Sequence, residues 1–177
     1  MSGWVSDVLD YWFGLKPEQW WFDKGLDGEI RQRFERVWTE QKGKPAATFL
    51  GSAEEALAAV ILLDQFPRNM FRDQAKGFST DALSLDIAKQ AIARGYDMQL
   101  TPDRRAFLYM PFQHSESLAD QGRSIDLFRV LGDEKSLEFA IKHRDVIARF
   151  GRFPHRNKAL GREPTDAERE AGDVSPF

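Results

Sequence analysis

The sequence predicts an all-α fold, an array of antiparallel helical hairpins in one domain over residues 1–177. Three observations carry this expectation. Apolar residues recur at helical spacing through most of the chain. No segment alternates with period 2 in β-branched residues, as a half-buried strand would. Helix start and stop residues fall at the ends of the periodic segments.

Residues 4–13 place Trp4, Val8, Tyr11 and Trp12 at helical spacing, with Gly14 as the stop. Trp20, Trp21 and Phe22 read as an aromatic plug closing one end of the core. Residues 27–42 carry the stripe Ile30, Phe34, Val37 and Trp38, ended by Gly43-Lys44-Pro45. Ser52 with Glu55 forms a capping box for a helix to about Phe66, where Pro67 is expected to interrupt it. Ser79 or Thr80 caps the next helix, which ends at Gly95. Thr101-Pro102 opens another, with proline at the first helical position. Met110-Pro111 is expected to break or kink it, and a helix over 112–131 then stops at Gly132. Residues 134–150 form the next helix, up to Gly151. Thr165 with Glu168 caps a last short helix, and the tail from Gly172 carries no packing pattern and is expected to fray.

Composition bounds the function. There is no cysteine, which removes disulfides and thiolate chemistry and suits a cytoplasmic protein. The N-terminus has neither the basic start nor the apolar run of a signal peptide. The longest apolar run lies within 56–63, whereas a membrane span needs roughly 20 residues, so no membrane partner is expected. The formal net charge of −3 disfavours nucleic acid as a partner. Five tryptophans and fourteen phenylalanines point to an ordered core.

Within that acidic chain, residues 143–162 hold six basic residues against a single acid, Asp145. Such density implies that something anionic meets the segment, either a ligand or the protein's own carboxylates. The segment contains His143 and His155. It also contains a local echo, Phe153-Pro154-His155-Arg156-Asn157 against Phe66-Pro67-Arg68-Asn69. Both copies follow a helix end and are expected to open a short helical turn at proline.

Polar residues on apolar faces are the other signal. Leu57, Val60, Ile61 and Asp64 share one helical stripe, so Asp64 is expected to be buried. Leu137, Ala140, Ile141 and Arg144 share another, with His143 on a second apolar edge. His114, Leu118, Gln121 and Ile125 would share a face of the 112–131 helix. A buried charge needs a partner, and Arg144 or Arg152 is the expected partner of Asp64. This cluster reads either as a register-fixing polar core or as a site between facing helices. The expected ligand-binding set is Arg68, Arg104, Arg144, Arg152, His155 and Arg156. The catalytic candidates are His114, His143 and Asp64.

Other chemistries fit less well. The three histidines with Asp64 and Glu116 show no HxxxH or ExxH spacing, so no metal site is expected. His114-Ser115 is an adjacent pair without a Gly-x-Ser-x-Gly elbow. Neither GxGxxG nor GxxxxGK[ST] occurs, and no cofactor is implied.

LLDQFPRNMFR (62–72), FLYMPFQHSESLADQ (107–121) and HRDVIARFGRFPHRNKALGREPT (143–165) together resemble the bacterial family catalogued as domain of unknown function 924. The similarity runs over nearly the whole chain. It implies an all-helical, tetratricopeptide-like fold, and it carries no activity and no catalytic residue across. In that family the position of Gln113 often holds Glu, which implies that a carboxylate there is dispensable.

Two functions therefore stand side by side. One is a binding module for an anionic small molecule or an acidic peptide at the Arg/His-rich segment. The other is an enzyme acting on a phosphorylated or carboxylated small molecule, with His114 or His143 as acid–base and Asp64 as its orienting carboxylate. In either case Arg68, Arg152, Arg156 and Arg104 are expected to surround one cavity. Oligomeric state is left open.

Overall fold

The computed structural model describes residues 3–22, 24–172 and 174, and among these the secondary structure is helical without strands. Helix α1 spans Gly3–Gly14 and buries Val5, Val8, Leu9 and Trp12. Helix α2 spans Gln19–Phe22. Its Trp20 stacks beside Trp12 and meets Phe107 edge-on, while its indole N–H donates to the Trp12 carbonyl at 2.8 Å. The Trp21 and Phe22 side chains lie outside the described residues, as does most of the tail expected to fray. Helix α3 spans Leu26–Gln41 and buries the stripe Ile30, Phe34 and Trp38.

The centre of the fold is a helical rod over residues 53–70. Helix α4, Ala53–Val60, is buried on almost every side, as suits a helix apolar all round. Ser52 caps it as expected, accepting from the Glu55 amide at 3.1 Å, but the return bond of the expected capping box, from the Ser52 amide to the Glu55 side chain, is not formed. Pro67 does not interrupt the rod. A π-helical turn, Ile61–Gln65, leads into helix α5, Phe66–Met70, with Pro67 in its first turn. Proline can offer no N–H to the Leu63 carbonyl four residues back. The Thr80 hydroxyl donates to that carbonyl instead, at 2.5 Å, and accepts from the Trp38 indole at 3.3 Å. The break expected at proline is thus avoided by a donor from elsewhere in the chain.

Helix α6, Asp81–Ala93, packs along the rod, preceded by a tight turn, Ala75–Phe78. Gly77 is required there: a Cβ would stand 3.0 Å from the Phe71 carbonyl oxygen and 3.3 Å from that of Pro67. Helix α7 spans Pro102–Gln113 and continues through Pro111, so no helix runs over 112–131. The break falls at 114–117, before helix α8, Leu118–Leu131. Gln121 holds this turn, donating to the Gln113 and Ser115 carbonyls at 2.7 Å each. His114 is therefore the residue that ends α7, set in place by backbone capping rather than by a helical face.

Gly132, at φ +79°, reverses the chain into helix α9, Glu134–Phe150, and α8 and α9 pack as an antiparallel hairpin. The buried stripe of α9 is Ala140, His143, Val146 and Ile147. Ile141 and Arg144 turn outward, a rotation of one residue from the expected face. After Gly151 a 3-10 turn, Pro154–Arg156, leads to helix α10, Asn157–Leu160, and helix α11, Asp166–Ala171. The capping box of α11 is formed by Thr165 and Glu168 as expected. A tetratricopeptide-like array is compatible with these hairpins, although helix lengths range from 4 to 17 residues. Among the described residues, no helix is long and apolar enough to cross a membrane.

Candidate functional site

The π-helical turn brings Asp64 to the inner face of the rod, where it is completely buried. Its partners are not Arg144 or Arg152. His114 places Nδ1 at 2.9 and 2.8 Å from the two carboxylate oxygens. Arg68, one turn along the same rod, donates to Asp64 Oδ1 at 3.2 Å and to the Asp64 carbonyl at 2.6 Å. The Gln65 amide donates to Oδ2. Burial alone would raise the Asp64 carboxyl, but His114 and Arg68 outweigh it and hold it below the ordinary 3.8. Burial and then the Arg68 charge lower His114 below 6.5, so the imidazole is neutral near pH 7.

An ionised carboxylate can only accept, which assigns the His114 proton to Nδ1. Nε2 therefore presents a lone pair. It has no hydrogen-bond partner among the described residues and is not fully buried. With the side chain 14% exposed, Nε2 faces solvent. The arrangement is a buried carboxylate, an imidazole oriented by it, and an accessible basic nitrogen.

A second carboxylate, Asp81 at the start of α6, joins the two proline turns. Arg68 grips it with both terminal nitrogens at 2.9 Å, and Arg156 reaches it at 3.4 Å. Both guanidiniums lie over the Phe78 ring, and Arg156 also packs on Phe153 at 4.6 Å. The echo Phe-Pro-Arg-Asn and Phe-Pro-His-Arg-Asn thus marks two turns that meet on one acid. Arg156 donates to the His114 carbonyl at 2.9 Å, while its Nε is buried without a partner. Burial, reinforced by Arg68, brings Arg156 down to about 10.

The other expected residues divide. His143 is buried 6.4 Å from the His114 ring and donates Nδ1–H to the Phe139 carbonyl at 2.7 Å. Burial pushes it down to about 3, with the Phe139 bond opposing. His155 is exposed and stands beside Phe153, 5.5 Å between ring centres. Arg104, Arg144 and Arg152 do not join Asp64. Arg104 stacks on Phe13 at 4.8 Å. Arg144, on the outward face of α9, pairs with Asp145 at 2.8 Å. Arg152 is bidentate on Glu168 at 2.7 and 2.8 Å, which docks α11. Arg162 is likewise bidentate on Glu116 at 2.8 and 3.0 Å. Much of the charge of the basic segment is met by the protein's own carboxylates. Among the described residues, no group of three or more histidine or acidic side chains is placed to hold a metal ion.

Asp81, Phe78 and Thr80 were not expected at the site. Asp81 reads in the sequence as an ordinary first-turn acid of a helix. The only hint was the echoed proline turn, which marks two arginines and not the acid they share.

Fold and site together define an all-helical protein with a buried Asp–His pair at the π-helical turn of its central rod. The sequence pattern of the family described as "Bacterial protein of unknown function (DUF924)" matches residues 8–171, and the chain belongs to that family. It is similar to a solved structure of a protein of unknown function from Agrobacterium tumefaciens, at 41% identity. That likeness covers 94% of this chain and 95% of the other, with a TM-score of 0.88. No curated protein matches the chain.

Proposed function

We propose that this protein is an enzyme that moves a proton at His114 Nε2 on a small anionic substrate, in the cytoplasm. One observation carries the reading: the His114 ring lies across both oxygens of a wholly buried carboxylate, with its other nitrogen open to solvent. A core histidine that served only packing would gain nothing from a buried charge costing several kcal/mol to desolvate. The neutral, oriented imidazole is instead the form a general base requires. Asp64 holds the tautomer, and the cation of Arg156 beside it favours an anionic substrate. The acidic-peptide reading has less support, because Arg68, Arg152 and Arg162 are each bidentate on internal acids.

The test is a turnover panel of small carboxylates, phosphate esters, esters and amides. A reacting compound should lose about 10²- to 10⁴-fold in kcat with His114→Ala, the usual share of a general base. Asp64→Asn should lower the rate and alter its pH profile. Wild-type rate should rise with pH as His114 loses its proton, below 6.5. A panel without turnover, or a His114→Ala variant at wild-type rate, refutes the reading.

A further inference from the structure

We propose that a cleft between the Pro154–Arg156 turn and α11 binds the anionic end of a short amphipathic molecule, a carboxylate or a phosphate ester, with Lys158 as its counter-charge. Identifying that molecule as the substrate rests on the acid–base reading of His114. The cleft itself does not.

The cleft has a volume of about 360 Å³. Small-molecule sites run from about 300 to 1,000 Å³, so this one suits a small metabolite and is too small for a peptide segment. Pro154, Pro164 and Val174 make apolar walls. Its charges are unevenly matched. Glu168, the acid in the wall, is consumed by both nitrogens of the Arg152 fork, by the Asn157 amide at 3.0 Å and by the Thr165 N–H at 2.8 Å. Arg169 at the rim is held by Asp166 and by the Pro164 carbonyl. Lys158 is exposed, and its side chain has neither an ion pair nor a hydrogen bond among the described residues. Among the described residues that line the cleft, Lys158 is thus the one charged side chain left without a partner. That fits one carboxylate or phosphate group and not a nucleic-acid backbone, which needs many phosphate contacts.

Packed side chains, not an open passage, lie between the dyad and the cleft. His155 lines it, and a row of rings leads inward from there. His155 to Phe153 is 5.5 Å, Phe153 to His143 is 5.6 Å, and His143 to His114 is 6.4 Å between centres. Burial, and then the neighbouring cations Arg156 and Arg68, bring His155 down to about 4, so its imidazole is neutral near pH 7.

Calorimetric titration at low ionic strength tests this with two probes, inorganic phosphate and butyrate. The wild type should bind at least one saturably in the millimolar range. Phosphate alone assigns a phosphate ester, butyrate alone a carboxylate, and both together the anionic group they share. Lys158→Ala should weaken binding about tenfold, the loss of one charge-assisted hydrogen bond. Lys158→Arg should retain most of it, and Lys44→Ala, at an exposed lysine outside the cleft, should bind as the wild type does. Binding that survives with no turnover found leaves the cleft standing while the acid–base reading fails. The cleft proposal is overturned if neither probe saturates, if Lys158→Ala binds normally, or if Lys44→Ala weakens binding as much as Lys158→Ala does.

Discussion

Replacing Asp64 with alanine should destabilise the protein by about 3–5 kcal/mol, the range for breaking a buried charge pair. The structure shows where the cost arises. Asp64 accepts from His114, Arg68 and Gln65. Arg68 keeps the bidentate grip on Asp81 and the Asp64 backbone carbonyl, so it is not orphaned. Gln65 and His114 each lose a side-chain acceptor inside the fold. An orphaned buried donor costs about 1–3 kcal/mol, so the two together span about 2–6 kcal/mol and enclose the ion-pair figure. Urea unfolding at neutral pH is the assay, read as a midpoint shift at unchanged slope. A double-mutant cycle with His114→Ala separates the pair from its surroundings. Contacting residues couple by roughly 0.5–3 kcal/mol, so Asp64→Ala should cost less by that amount when His114 is already alanine. A single-mutant loss below about 1 kcal/mol, the size of an ordinary surface change, or strict additivity in the cycle would refute the reasoning.

Two further outcomes follow from the same geometry. His143 is held near about 3 in the folded state against 6.5 unfolded, so the unfolded chain binds a proton that the folded one refuses. Its contribution is complete above 6.5 and is lost as pH falls through the window down to about 3, at about 1.4 kcal/mol per pH unit. Urea midpoints in mild acid should therefore fall below those at neutral pH, and His143→Gln should flatten the profile; a flat wild-type profile counts against the buried neutral histidine. Thr80→Val removes the donor to the Leu63 carbonyl and the acceptor of the Trp38 indole, each worth about 1–3 kcal/mol if left unsatisfied. Thr80→Ser should stay close to wild type in the same assay, and equal losses for both variants would show that the methyl, not the hydroxyl, matters.

Much of the fold was legible because it is written in local terms. The caps at Ser52, Thr101-Pro102 and Thr165 and the stops at Gly95, Gly132 and Gly151 depend on residues within one turn, and they appear where expected. The burial of Asp64 was legible too, since one helical stripe carries it among Leu57, Val60 and Ile61. Its partners were not. Helix α9 is rotated by one residue from the expected face, about 100° on a helix of 3.6 residues per turn, and that alone turns Ile141 and Arg144 away from the core and Ile147 into it. Pro67 reads as a break within its own segment, and the Thr80 hydroxyl that keeps the rod continuous lies in a different part of the chain. Asp81 looks like any first-turn acid until Arg68 and Arg156 arrive from turns 88 residues apart in the sequence. The chain by itself determined the helices, their ends and one buried charge, since propensity and capping act over a few residues. Which acid each arginine meets was decided by the tertiary structure alone, because an ion pair between helices depends on their relative rotation and approach, and neither is encoded in a periodicity.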